Sequence, residues 1–317
     1  MQMNINESVV IVEGIKLFIN LFSEFGGVGM KKRGILIFYG IGIALLLIFT
    51  FYDLQISMTI STKSLWARIF EVIGEIPIIV LAIFSCAALI RFRNKAKIWA
   101  SIISIIGFGV LFVLFSAMGG FMIWNYLKDN VAIQLPAALG FILALFFAVS
   151  AVLLLRLVPE EKKKETITFA IITLLYFVAI LVVMNSIKAT WGRMRLREMT
   201  DPLTQFTPWY VITNRGGFSN IYASFPSGHS MNSAAVILLT LLPSLYPRLE
   251  KRKNTILVIV FAWFVLVGTS RIVMGAHFAS DVIVGIMLSV TLFLGIKNII
   301  CKVRQIDNSS IKTKIAS

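Results

Sequence analysis

Apolar residues in this chain gather in long runs separated by short polar stretches. Ile35–Tyr52, Ile98–Ile123, Val131–Leu155 and Ile167–Ile187 contain no charged residue, and Ile69–Ile90, Ser230–Tyr246, Ile256–Arg271 and His277–Ile296 are shorter or carry polar residues. An α-helix needs about 20 apolar residues to cross ~30 Å of hydrocarbon. In lipid a helix satisfies its own backbone polar groups, so helices are the expected spanning form. The pattern predicts an all-α, polytopic membrane bundle of about eight transmembrane helices. Before the first run, Ile11, Ile15, Phe18, Phe22 and Phe25 recur every three or four residues. Two readings stay open for Ser8–Phe25: an amphipathic helix lying on the membrane surface, or a loosely ordered tail. The expected organisation is an N-terminal segment over residues 1–30, a helical membrane domain over 31–300 and a basic tail over 301–317.

Composition agrees, with 58% hydrophobic and 14% charged residues. The net charge of +15 would suit a nucleic-acid partner, but its distribution argues otherwise. With the N-terminus inside and eight crossings, the inner segments collect 21 of the 30 basic residues, as the positive-inside rule requires. The basicity is a topology signal, with attraction to anionic head groups added. Both termini are expected in the cytoplasm, in a plasma membrane of bacterial type. Cys86 lies in an apolar run and Cys301 beyond the last one, so no disulfide framework is implied. One connection is long: Lys188 to Phe225 holds Pro202, Pro208, Gly216 and Gly217 among aromatics, which suits a structured loop at the outer interface.

Candidate chemistry concentrates around the two histidines, His229 and His277. Imidazole is the side chain best suited to proton transfer near neutral pH. Asp281 follows His277 by four residues, so a helix starting there would put both on one face. A carboxylate hydrogen-bonded to one ring nitrogen leaves the other as a neutral nucleophile. Arg271 stands at the outer end of an apolar run and calls for an anionic partner, either a ligand or Asp281 itself. His229 closes Phe225-Pro226-Ser227-Gly228-His229. Ser227 is a typical helix cap, and Gly228 lets a ligand approach the backbone at a helix N-terminus. Lys188 and Arg195 are seven apart, two helical turns if the fifth helix continues. Three cations, a helix start and two histidines on one membrane face match the needs of phosphoryl transfer: charge stabilisation, an in-line nucleophile and an acid. No DxD, HExxH, Walker A or Cys/His cluster is present, so no metal, nucleotide or other cofactor is expected.

These residues resemble the type-2 phosphatidic acid phosphatases, a family sharing its fold with vanadium haloperoxidases. The family's motifs, Lys-x6-Arg-Pro, Pro-Ser-Gly-His and Ser-Arg-x5-His-x3-Asp, correspond to Lys188 to Arg195, to Pro226 through His229, and to Ser270-Arg271 through His277 to Asp281. Leu196 replaces the usual proline, and this leaves Arg193 or Arg197 as alternatives to Arg195. The resemblance implies a six-helix phosphatase core, so eight spans would include an extra pair. It also implies His277 as nucleophile oriented by Asp281, His229 as acid, and Lys188, Arg195, Ser227, Gly228 and Arg271 as phosphate-binding residues. The expected activity is hydrolysis of a lipid phosphate or pyrophosphate at the extracytoplasmic face, through a phosphohistidine. The alternatives are a lipid-linked phosphotransferase and, in a different class, a non-enzymatic transporter. The expected partners are the lipid substrate and the bilayer.

Overall fold

A computed structural model describes residues 32–130, 135–215 and 219–316. The N-terminal segment with the proposed amphipathic helix lies outside them. Long helices dominate: α1 (Lys32–Ile60), α2 (Leu65–Ile73), α3 (Ile76–Arg91), α4 (Ile98–Asn130), α5 (Ala138–Arg156), α6 (Lys163–Trp191), α7 (Pro202–Gln205), α8 (Gly228–Ser233), α9 (Leu242–Leu245), α10 (Lys253–Val273) and α11 (Ala279–Ala316). Among the described residues, seven helical stretches are long and apolar enough to cross a membrane, with α2 and α3 counting as one. The chain is an all-α integral membrane bundle.

The eighth expected span differs. Ser230–Tyr246 does not form one long helix but passes from α8 through a 3-10 stretch, Ala234–Leu241, into α9. Pro243 lacks the N–H that would continue an α-helical ladder. Thr240 and Ser244 hydroxyls donate to carbonyls three residues back. The 3-10 rise of ≈ 2.0 Å per residue lets this short segment reach further than an α-helix of equal length. Together with the start of α8 it still crosses the bundle: Gly228 adjoins Lys188, while the Tyr246 hydroxyl donates to Leu154 O at 2.8 Å. At that second end Arg91 pairs with Glu160 and bonds Leu155 O. The long helices therefore alternate in direction. One end gathers Asp53, Lys188, His229, Arg271 and His277. The other gathers the basic connections around Arg91, Arg156, Lys163 and Arg252.

The core forms where α3, α6, α8, the 3-10 stretch and α11 meet, around Phe84, Phe169, Tyr176, Met231, Leu238 and Phe293. A polar chain runs through it. Tyr176 Oη and Ser289 Oγ are 2.6 Å apart, and Ser289 Oγ donates to Met231 O at 2.7 Å. Buried polar groups are costly unless paired, so this chain fixes how α8 sits between α6 and α11. The lipid-facing sides of α1, α4 and α5 carry exposed Leu, Ile and Phe.

Candidate active site

The Lys188–Arg195 spacing works through a turn rather than along one helix face. The α6 helix stops at Trp191, and Gly192 takes the left-handed conformation at φ 69°, the usual glycine solution for a helix end. Arg195 then lies in extended backbone. Its N–H donates to Ile221 O at 3.0 Å, and Ser224 N donates to Arg193 O at 3.0 Å, so residues 193–195 run beside 221–224. Aromatics pin this loop to the bundle. Trp191 stacks on Phe225 at 4.6 Å, Trp191 Nε1 donates to Trp209 O, and Trp209 Nε1 donates to Thr50 Oγ1 of α1.

His277 lies in the turn between α10 and α11, almost wholly buried. Its Nδ1 is 2.5 Å from Ser224 O. A carbonyl only accepts, so Nδ1 carries the proton and Nε2 keeps its lone pair. The expected bond to Asp281 is not formed; Asp281 Oδ2 stands 3.9 Å from Nδ1. The carboxylate works one step further back, accepting from Ser224 Oγ at 2.6 Å and from Phe278 N at 2.8 Å. Asp281 thus holds both the residue that fixes the imidazole and the turn that carries it. Burial, reinforced by the nearby charges of Arg195 and Lys188, pushes the His277 imidazole well below its ordinary range, which keeps it neutral.

Behind Asp281 sits Arg193, fully buried. Its Nη1 donates to Asp281 Oδ1 at 2.5 Å and to Ser280 Oγ at 2.8 Å. Its Nη2 donates to Asp53 Oδ2 at 2.8 Å and its Nε to Thr207 O at 2.8 Å. The guanidinium also lies over Phe278 and Phe206. Arg193 is committed to protein partners and is no alternative to Arg195. Arg195 is the reverse case. Its Nη2 reaches Asn220 only at 3.4 Å, and its buried Nε has no hydrogen-bond partner.

Ser227 caps α8, accepting from Ser230 N, and its own N–H donates to Asp281 O at 3.0 Å. Gly228 permits a close approach: a Cβ there would lie 2.7 Å from Met184 Sδ and 2.9 Å from Lys188 Nζ. Arg271 is buried and pairs with Glu71 at 3.0 Å, not with Asp281. His229 Nε2 lies 3.0 Å from Tyr126 Oη, and its Nδ1 is 3.6 Å from Glu75, which also accepts from Asn232.

All eight sequence-predicted residues stand at this one end of the bundle. Sequence reasoning missed Ser224, Tyr126, Glu71, Glu75 and the partnership of Asp53 with Arg193. The two glutamates carried a signal, being acidic residues inside an apolar run.

A family profile described as the PAP2 superfamily matches residues 164–304. The matched stretch, 141 of the 317 residues, is similar to that family. It contains α8 to α10 with nearly all of α6 and the crossing part of α11, and with them every residue of the three motifs. The chain is also similar to phosphatidylglycerophosphatase B of Bacillus subtilis (strain 168), 40% identical over 84 residues. That stretch is 26% of this chain and spans 41% of the relative's length. No solved structure matches.

Proposed function

We propose that this protein is a lipid phosphatase acting through a phosphohistidine on His277, with His229 as acid and base and without a metal. The observation that carries the reading is the fixed, neutral His277, its Nδ1 proton given to Ser224 O, beside Lys188 and the unpartnered Nε of Arg195. The Nε2 lone pair attacks phosphorus as the bond to the lipid oxygen breaks, and His229 Nε2 gives its proton to that oxygen. A water then attacks the phosphohistidine and yields its proton to His229; the N–P bond breaks and inorganic phosphate leaves. Lys188, Arg195 and Arg271 meet the charge on the phosphoryl oxygens, with Ser227 and Gly228 shaping the backbone beside them. The relative's name puts phosphatidylglycerol phosphate first in a substrate panel, ahead of phosphatidic acid and polyprenyl pyrophosphate.

The two histidines are separable by leaving group. His277→Ala should abolish phosphate release on every substrate and leave no acid-labile phosphoprotein. General acid catalysis contributes about 10²–10⁴-fold where the leaving group needs a proton. His229→Ala should therefore lose far more activity on a lipid phosphomonoester than on an aryl phosphate, and all activity should survive a chelator. A phosphoprotein in His277→Ala, equal losses for His229→Ala, or chelator loss restored by Mg²⁺ would each refute an assigned part.

The basic connections at the opposite end of the bundle support an extracytoplasmic site. A lone cysteine introduced at Ser219 should react with an impermeant maleimide in intact cells, and one at Asn254 should not. The opposite labelling would reverse the orientation.

A further inference from the structure

Asp53 belongs to α1, more than a hundred residues before the PAP2-matched stretch begins, and it is 2% exposed near the end of a helix whose lipid side is apolar. A carboxylate at such a position is expensive unless it is fully partnered. Its partners all belong to the machinery behind His277. Oδ1 accepts from Ser280 N at 3.0 Å, and Oδ2 accepts from Ser280 Oγ at 2.5 Å and from Arg193 Nη2 at 2.8 Å. Arg193 in turn holds Asp281, which holds Ser224, whose carbonyl fixes His277 Nδ1. One guanidinium is shared by two buried carboxylates, one from α1 and one from α11. The first helix therefore closes a network whose other members lie within residues 193–281.

We propose that Asp53 is a positioning residue for the nucleophile, through which α1 anchors the start of α11 and with it the His277 turn. The inference rests on the reading of His277 as nucleophile. It gives a task to a helix that the family motifs do not account for. Asp53 touches neither the imidazole nor the phosphate site. Its loss would loosen the geometry of attack while leaving Lys188 and Arg195 in place.

The test compares full-length Asp53→Asn, Ser280→Ala, Thr50→Val and His277→Ala in detergent, on an aryl phosphate and a lipid phosphomonoester. Rates are normalised to folded protein by size-exclusion chromatography. Asp53→Asn should lower kcat on the order of 10–100-fold, the scale seen when an outer partner of a functional histidine is removed. KM should be unchanged, because phosphate binding is intact. The charges that act on His277 are Arg195 in the loop, Lys188 on α6 and His229 on α8, with Asp281 on α11 at 3.9 Å from Nδ1 and Arg193 and then Asp53 on α1 one and two steps behind that carboxylate. Removing one negative charge from that set makes protonation of His277 harder, so the acid limb of kcat/KM should move to lower pH. Thr50→Val, which loosens the loop's tie to the same helix, should keep the wild-type acid limb. A wild-type kcat in Asp53→Asn, a rise in KM alone, or an unmoved acid limb overturns the proposal. If Asp53→Asn does not fold, Ser280→Ala keeps every charge and should still lower kcat with KM constant; wild-type kcat there overturns it. Turnover by His277→Ala would instead overturn the underlying mechanism, whatever Asp53→Asn does.

Discussion

The regions behind and in front of His277 use the same side chains to opposite ends. Behind it, Arg193, Asp53 and Asp281 are at most 2% exposed, and both carboxylates and every guanidinium nitrogen have protein partners. In front, Arg195 sits two residues along the same strand of loop with a buried Nε that bonds nothing in the protein. Satisfied buried charge holds a structure in one arrangement. An unsatisfied donor costs stability, and that cost is recovered when an anion arrives. The difference teaches that a basic cluster in a sequence is not one feature: Arg193 and Arg195 are neighbours in the chain and belong to separate tasks.

The strongest way to break that contrast is to remove each guanidinium in turn. Arg193→Met leaves two carboxylates buried without their shared cation, and breaking a buried pair in this way costs about 3–5 kcal/mol. Folded yield in detergent and thermal midpoint should fall together with activity. Arg195→Met should leave the thermal midpoint unchanged or slightly raised and reduce kcat/KM by about 10²–10³-fold, the loss typical of one donor to a reacting oxyanion. Vanadate, a mimic of the five-coordinate phosphoryl group, should inhibit the wild type and inhibit Arg195→Met more weakly. Equal thermal losses in the two variants would mean that both arginines are structural.

The contrast also marks what the sequence could and could not reveal. The helices were legible because an apolar run of sufficient length has few alternatives to spanning. The exception, Ser230–Tyr246, was apolar enough, but Pro243 and the hydroxyls at Thr240 and Ser244 shift its local hydrogen bonding in a way that composition does not register. Lys188, His229, Arg271, His277 and Asp281 were legible because their spacings are local. The support was not. Asp53 and Arg193 are 140 positions apart, and the acceptor for His277 is a backbone carbonyl, which any residue at position 224 would supply. Only tertiary packing assigns such partners. Seven-residue spacing suggested a helix face for Lys188 and Arg195, but Gly192 turns the chain before that face continues.

A smaller effect sharpens the comparison from the front. Arg271 is buried like Arg193, yet its partner Glu71 lies partly open to the site and also approaches Arg197 at 4.0 Å. Under the proposed function, phosphate oxygens would compete with Glu71 for this guanidinium. Arg271 keeps two further protein contacts, Nε to Ser270 Oγ and Nη2 to Ala67 O, so it does not depend on Glu71 alone for its place. Glu71→Gln should therefore keep Arg271 positioned while removing a competing negative charge. An ion pair with partial solvent access contributes up to about 1 kcal/mol, which corresponds to roughly fivefold in a binding constant. Inhibition by inorganic phosphate or vanadate should tighten by up to that factor, with little change in thermal midpoint. The direction distinguishes the two regions. If Glu71 were part of a closed support like Asp53, its neutralisation would lower stability and turnover without improving anion binding. Weaker inhibition in Glu71→Gln would place Arg271 with Arg193, behind the reaction rather than in it.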